Sequence, residues 1–218
     1  MGAASLRELC TRIAAREPVP GAGSGIAAQA ALGAALVSMA FRRSSDEGAS
    51  DVPAYMNGRA QRLDVLAEGL VELADRDAEA YAAFLDARNA PADGEASQAK
   101  RQAALERAAR AAVEVPFEIL EAALAGLRLA AVGAPDQHPN LACETEAGAR
   151  GLHAAVRSAA RVVAENLPIA AAESAEFAAE HERALPALLA EAERLLEEVC
   201  GATAPRDADP PSTSPEPT

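Results

Sequence analysis

The chain has 218 residues, of which 50% are hydrophobic and only 3% aromatic, and it carries a formal net charge of −13. That length suits one domain with a core of its own, and the acidic balance argues against nucleic acid or an anionic membrane as a partner. Alanine supplies much of the apolar content while strand-favouring residues are sparse, so the composition predicts an all-α protein. Cys10, Cys143 and Cys200 are widely spaced and form no metal-binding pattern, which fits reduced thiols in a cytoplasmic protein. The opening MGAASLRELC lacks the long apolar segment of a secretory signal, and Leu6 breaks the myristoylation pattern.

Ser5 to Glu8 reads as a capping box that opens a first helix, with Leu6, Leu9 and Ile13 as its apolar stripe and a stop before Pro18. Residues 18–43 follow, PVPGAGSGIAAQAALGAALVSMAFRR: a proline–glycine turn, Ser24 at an N-cap position, and no ionisable side chain from Gly25 to Phe41. A stretch that is apolar all round calls for burial on all sides. Its uncharged part is marginal in length for a bilayer span and rich in Ala and Gly, which add little hydrophobicity. The expectation is a helical bundle packed around this central Ala/Gly-rich helix, which ends near Arg43. The Gly21–Ser24 turn then offers backbone N–H groups at a positive helix end, a place for an anion.

Residues 44–50 are predicted as a polar loop. Asp51 is placed to cap a third helix, with Pro53 in its first turn. Its stripe runs Leu63, Leu66, Leu70, Leu73, Asp77, Ala80 and Phe84, with the alternating spacing of a packed helix. Asp77 therefore stands on an apolar seam, where a carboxylate is costly unless paired or solvated by a cavity. The alternative is a rotated helix end, with Asp77 in water and Ala78 or Tyr81 inward. After a loop at 90–96, a fourth helix starts near Ser97 and is expected to kink or split at Pro116. A turn at 133–140 leads to a helix from Leu141 to Glu165, ended or bent at Asn166-Leu167-Pro168. The last helix covers 171–199, with a bend or restart at Pro186. The proline-rich residues from Gly201 onward are expected to be disordered, which divides the chain into a domain at 1–200 and a tail at 201–218.

The chain has no P-loop, no H-E-x-x-H and no G-x-S-x-G, and its GAGSG follows no strand, so a dinucleotide reading fails. His181 lies in a charged run and is expected in solvent. His153 fits either core or surface, and His138, in the turn QHPN, is placed like a site residue. The local candidates are the Gly21–Ser24 turn, Asp77, and the turn from His138 to Glu144.

Five segments in order carry a resemblance: PVPGAGSGIAAQAALGAALVSM, DRDAEAYAAF (75–84), AAVEVPFEILEAA (111–123), HPNLACE (138–144) and AVRSAARVVAENL (155–167). Together they resemble the cyclodeaminase/cyclohydrolase family, that of the C-terminal domain of formiminotransferase-cyclodeaminase and of methenyltetrahydrofolate cyclohydrolases. The resemblance implies an all-helical domain that forms homodimers and acts on a tetrahydrofolate derivative as substrate. One family reaction expels ammonia from 5-formimino-tetrahydrofolate; the other hydrolyses 5,10-methenyl-tetrahydrofolate. Neither implies a metal or a tightly bound cofactor. A desolvated carboxylate beside a cationic amidinium-like carbon suits both reactions, which singles out Asp77 and Glu144 as catalytic. Pro20, Gly21, Gly23, Ser24, His138, Asn140 and Asn166 match positions expected to bind substrate. The chain departs from the family pattern at Ala22, where glycine is usual, at Glu144, where aspartate is usual, and at His138 and Val162, where asparagine is usual. FRRSSDEGAS also replaces a lysine-rich segment. These departures keep a second reading open: a diverged, non-catalytic helical dimer serving as a binding or scaffolding module.

Overall fold

The computed structural model describes residues 5–47 and 55–204, and among these it is all-helical, with six α-helices and two short 3-10 turns. The elements are α1 (Leu6–Ile13), α2 (Ala22–Glu47), α3 (Tyr55–Asn89), α4 (Glu95–Gly133), α5 (Ala142–Glu173) and α6 (Ala175–Thr203). Helices α2 to α5 form a ring in which each packs on the next and α5 closes back on α2; α6 covers α5 and α4. The apolar stripes read from the sequence face the middle of this ring. Leu63, Leu70 and Leu73 of α3, Ile119, Leu120, Leu124 and Leu127 of α4, and Leu152, Val156 and Val163 of α5 are buried.

α2 buries Ala27, Ala30, Ala34, Val37 and Phe41 completely. It is long and apolar enough to cross a bilayer, yet most of its apolar window packs inside the bundle. Its small residues let α5 come very close. A Cβ on Gly33 would lie 2.8 Å from the Gly148 carbonyl oxygen, and one on Gly148 would lie 2.6 Å from that of Gly33. Burial is not all-round, however: Leu32 is 55% and Leu36 38% exposed on the outward face. α1 begins with the expected capping box, Ser5 and Glu8 each accepting the other's backbone N–H, but none of its residues is buried.

Several boundaries differ from the expectation. α2 runs past Arg43 to Glu47, and the Ser44 and Ser45 hydroxyls donate back to the carbonyls of Ala40 and Phe41, so these polar side chains are satisfied without a loop. Pro116, Pro168 and Pro186 all lie inside continuous helices, so none of them splits its helix; at the first of these, Val115, Pro116 and Ile119 are buried. α6 continues three residues beyond the expected boundary at 200, where Thr203 Oγ1 bonds back to the Val199 carbonyl. His181 is not in solvent but packs against the rings of Phe117 and Phe177, at centroid separations of 4.8 and 4.3 Å. The Asp51 cap, Pro53 and the tail from 205 lie outside the described residues.

Candidate functional site

A cavity of about 340 Å³ opens where the first turn of α2 meets α3, α4 and α5. Its lining is Pro18, Gly21, Ala22, Gly23, Asp77, Ala80, Tyr81, Ala111, Ala112, Val162 and Asn166. No Lys, Arg or His is among them. Pro20 is buried just before the turn, and the Val19–Pro20 peptide is cis.

Asp77 is the acidic group of this cavity. It reaches from α3 to the start of α2, where its Oδ2 accepts the Ser24 backbone N–H at 2.7 Å and stands 2.9 Å from Ser24 Oγ. The carboxylate thus caps α2 from another helix. Ser24, expected as the N-cap itself, lies inside the first turn, fully buried. Its hydroxyl is also 2.9 Å from the Ala74 carbonyl. A hydroxyl has one proton, so it donates either to Asp77 or to Ala74. Donation to Ala74 leaves its oxygen free to accept a proton from neutral Asp77. Burial pushes the Asp77 carboxyl above the usual aspartate range, and the two bonds from Ser24 oppose that push. The adjacent cation, Arg76, is turned away into a bidentate pair with Glu118 at 2.5 and 2.8 Å.

Gly23 makes room for the carboxylate: a Cβ there would lie 2.0 Å from Asp77 Oδ1. Ala22, in contrast, is exposed at the first helical position, so a methyl group in place of glycine is tolerated. Asn166 faces Asp77 across the cavity from α5, with its Nδ2 donating to the Ala112 carbonyl at 2.6 Å. Val162, one turn earlier, gives the wall an apolar patch where the family resemblance expects an amide.

The structure does not bring the second group of predicted residues to this cavity. His138, Asn140 and Glu144 sit at the far end of α2, where the His138 backbone N–H donates to Ser44 Oγ at 2.9 Å. From Gly23 to Ser44 the helix rise amounts to about 30 Å. His138 caps the 3-10 turn Pro139–Leu141 by accepting the Asn140 N–H on Nδ1, so Asn140 is not the N-cap of α5. Asn140 lines a separate cavity of about 490 Å³ together with Gln137, Cys143, Glu146 and Thr203. Glu144 opens α5 and accepts the Cys143 thiol at 3.4 Å, which raises the thiol's pKa. Among the described residues, no group of three or more His, Cys, Asp or Glu is arranged to hold a metal ion.

Sequence reasoning missed Tyr81, Ala111 and Ala112 as cavity residues. Tyr81 follows Asp77 by one helical turn and so shares its face, a signal present in the spacing. Ala112 stands four residues before Pro116, the position whose carbonyl a helical proline releases.

Residues 5–200 match the family described as formiminotransferase-cyclodeaminase. A stretch of 122 residues, 54% of this chain, is 36% identical to formimidoyltransferase-cyclodeaminase of Rattus norvegicus, and it covers 22% of that protein. The chain thus spans about a fifth of the length of the curated relatives of this kind. It is also 28% identical over 188 residues to methenyltetrahydrofolate cyclohydrolase of Methylorubrum extorquens, covering 86% of this chain and 89% of the relative. The crystal structure of formiminotetrahydrofolate cyclodeaminase from Thermotoga maritima shares the fold, with a TM-score of 0.77 at 22% identity over 93% of this chain and 96% of that one. With the family matched along nearly the whole described chain, and the helical bundle shared with a solved relative, the protein belongs to the formiminotransferase-cyclodeaminase family.

Proposed function

We propose that the protein is a one-carbon folate enzyme, a methenyltetrahydrofolate cyclohydrolase, with its active site in the cavity around Asp77. The observation that carries this reading is a half-buried carboxylate, held by Ser24, in a cavity whose lining has no basic side chain. Such a carboxylate stabilises a cationic amidinium carbon and takes a proton from water that attacks it. Water oxygen adds to the methenyl carbon and its proton passes to Asp77. The proton then goes to N5 as the carbon–N5 bond breaks, while the hydroxyl proton of the adduct leaves to solvent. The balance is one water consumed, 10-formyl-tetrahydrofolate formed and one proton released. Ser24 follows each change by swinging its O–H between Asp77 and the Ala74 carbonyl. Gly21, Gly23 and the N–H groups of the α2 terminus hold the substrate at one wall, and Asn166 at the other.

Formiminotetrahydrofolate cyclodeaminase is the second reading, favoured by the solved relative of that name. It uses the same carboxylate to move protons to the departing ammonia. The role of His138, Asn140 and Glu144 in either reaction requires the far end of a second copy, since the turn at Ser44 that carries them is about 30 Å from Asp77 along α2. Homodimers fit the outward face of the bundle. Leu6 of α1 is 63% exposed, and with Leu32 of α2 and Val71 of α3 it lines an open groove of about 640 Å³. The three unbridged thiols suit the cytoplasm.

The test is loss of 5,10-methenyl-tetrahydrofolate absorbance with purified protein against a no-enzyme control, followed by the formimino substrate. Asp77→Asn is expected to lower kcat at least about a hundredfold while the fold is kept. Near-normal turnover by that variant removes Asp77 from the mechanism. If the unmodified chain neither turns over nor binds either folate, the non-catalytic binding module takes its place.

A further inference from the structure

α4 passes through Pro116 without breaking. Proline has no N–H, so the carbonyl of Ala112, four residues earlier, has no helical donor. Asn166 of α5 supplies one, its Nδ2 standing 2.6 Å from that oxygen. Because the partner is a carbonyl, the contacting end of the amide is the NH2 group, and this settles which way the amide points. Asn166 Oδ1 is left as an acceptor in the cavity the residue lines. Across from it, Ser24 occupies only Oδ2 of Asp77, so Oδ1 is a second acceptor.

We infer that Pro116 is a positioning residue: by releasing the Ala112 carbonyl it fixes Asn166 as an oriented hydrogen-bond acceptor opposite Asp77, and the cavity therefore selects ligands that present N–H donors beside a cationic carbon, as an aminopyrimidinone ring or an amidine does. The ligand class rests on the folate reading above; the Pro116–Asn166 link does not. A free asparagine rotates about its side-chain bonds and loses that freedom on binding. One already held by Ala112 binds without that loss, which is the advantage of preorganisation.

The test compares Pro116→Ala, Asn166→Ala and the double variant with the unmodified chain. Pro116→Ala returns an N–H to the Ala112 carbonyl, so the helix is kept and the Asn166 amide is set free. The expected result is a KM raised about tenfold in Asn166→Ala, the worth of one hydrogen bond, and about threefold to tenfold in Pro116→Ala, where the acceptor remains but must be ordered on binding. kcat is expected to move far less, and the double variant to show no further rise. An unchanged KM in Pro116→Ala, or effects that multiply in the double variant, overturns the inference. A second readout needs no substrate: the Asn166 side-chain amide in a proton–nitrogen correlation spectrum, assigned by its loss in Asn166→Ala. It is expected to be protected from hydrogen exchange in the unmodified chain and unprotected in Pro116→Ala. Equal protection in both proteins overturns the inference even where folate is turned over. Protection lost in Pro116→Ala, in a protein that neither binds nor converts folate, supports the link and overturns the folate reading instead.

Discussion

A carboxylate desolvated at the mouth of α2, with Arg76 turned away to Glu118, is held in its neutral form more readily than an exposed aspartate. This sets the sign of a pH effect on stability. The folded-state pKa of Asp77 lies above the unfolded value of about 3.9, so the stability it contributes is full below that value and is lost as pH rises through the folded pKa. Asn at this position still accepts the Ser24 N–H and cannot ionise. The stability of Asp77→Asn relative to the unmodified chain is therefore expected to increase from pH 4 toward neutrality. Urea midpoints of the two proteins measured across that window check it. Parallel profiles would mean that the carboxylate ionises in the fold as freely as in water.

At the scale of the helix, the crossing of α2 and α5 depends on two glycines whose backbones touch. A Cβ at Gly148 would lie 2.6 Å from both the Gly33 oxygen and Val37 Cγ2, whereas one at Gly151 would meet nothing nearer than 3.6 Å. Gly148→Ala is expected to destabilise the fold by about 1–3 kcal/mol through overpacking, and Gly151→Ala by far less, as read from their denaturation midpoints. The helices themselves were legible because leucine and alanine recur at helical spacing on α3, α4, α5 and α6. At the prolines a break and a bend both stayed open, since propensity describes the proline alone; the helices continue, and neighbours on other helices bury Pro116 and pair its orphaned carbonyl. The cap at Ser24 was misread for the same reason. Capping by Asp77 comes from 53 residues away, and no local pattern reveals it.

For the molecule as a whole, the site was only half legible. Asp77 was singled out by its place on an apolar seam, Gly21 and Gly23 by the glycine turn ahead of α2, and Asn166 by the family's motifs, and all four line one cavity. Motif order could not show that His138 and Glu144 stand at the opposite end of α2, because order along the chain carries no distance. The outward face of α2 is where pairing is expected. A charge at Leu32, which is 55% exposed, leaves the monomer intact but cannot be buried between two copies without cost. Light scattering is expected to report a dimer for the unmodified chain and a monomer for Leu32→Glu; a concentration-independent monomer in both would overturn the pairing.

The cap that Asp77 places on α2 also bears on the order in which the protein is built. The start of α2 acquires its partner only when a loop of 53 residues has closed and α3 has docked alongside. Neither helix alone can hold the carboxylate, the glycine turn and the Ser24 hydroxyl in register. The cavity around Asp77 therefore comes into being with the tertiary fold, and a chain arrested short of that docking lacks it.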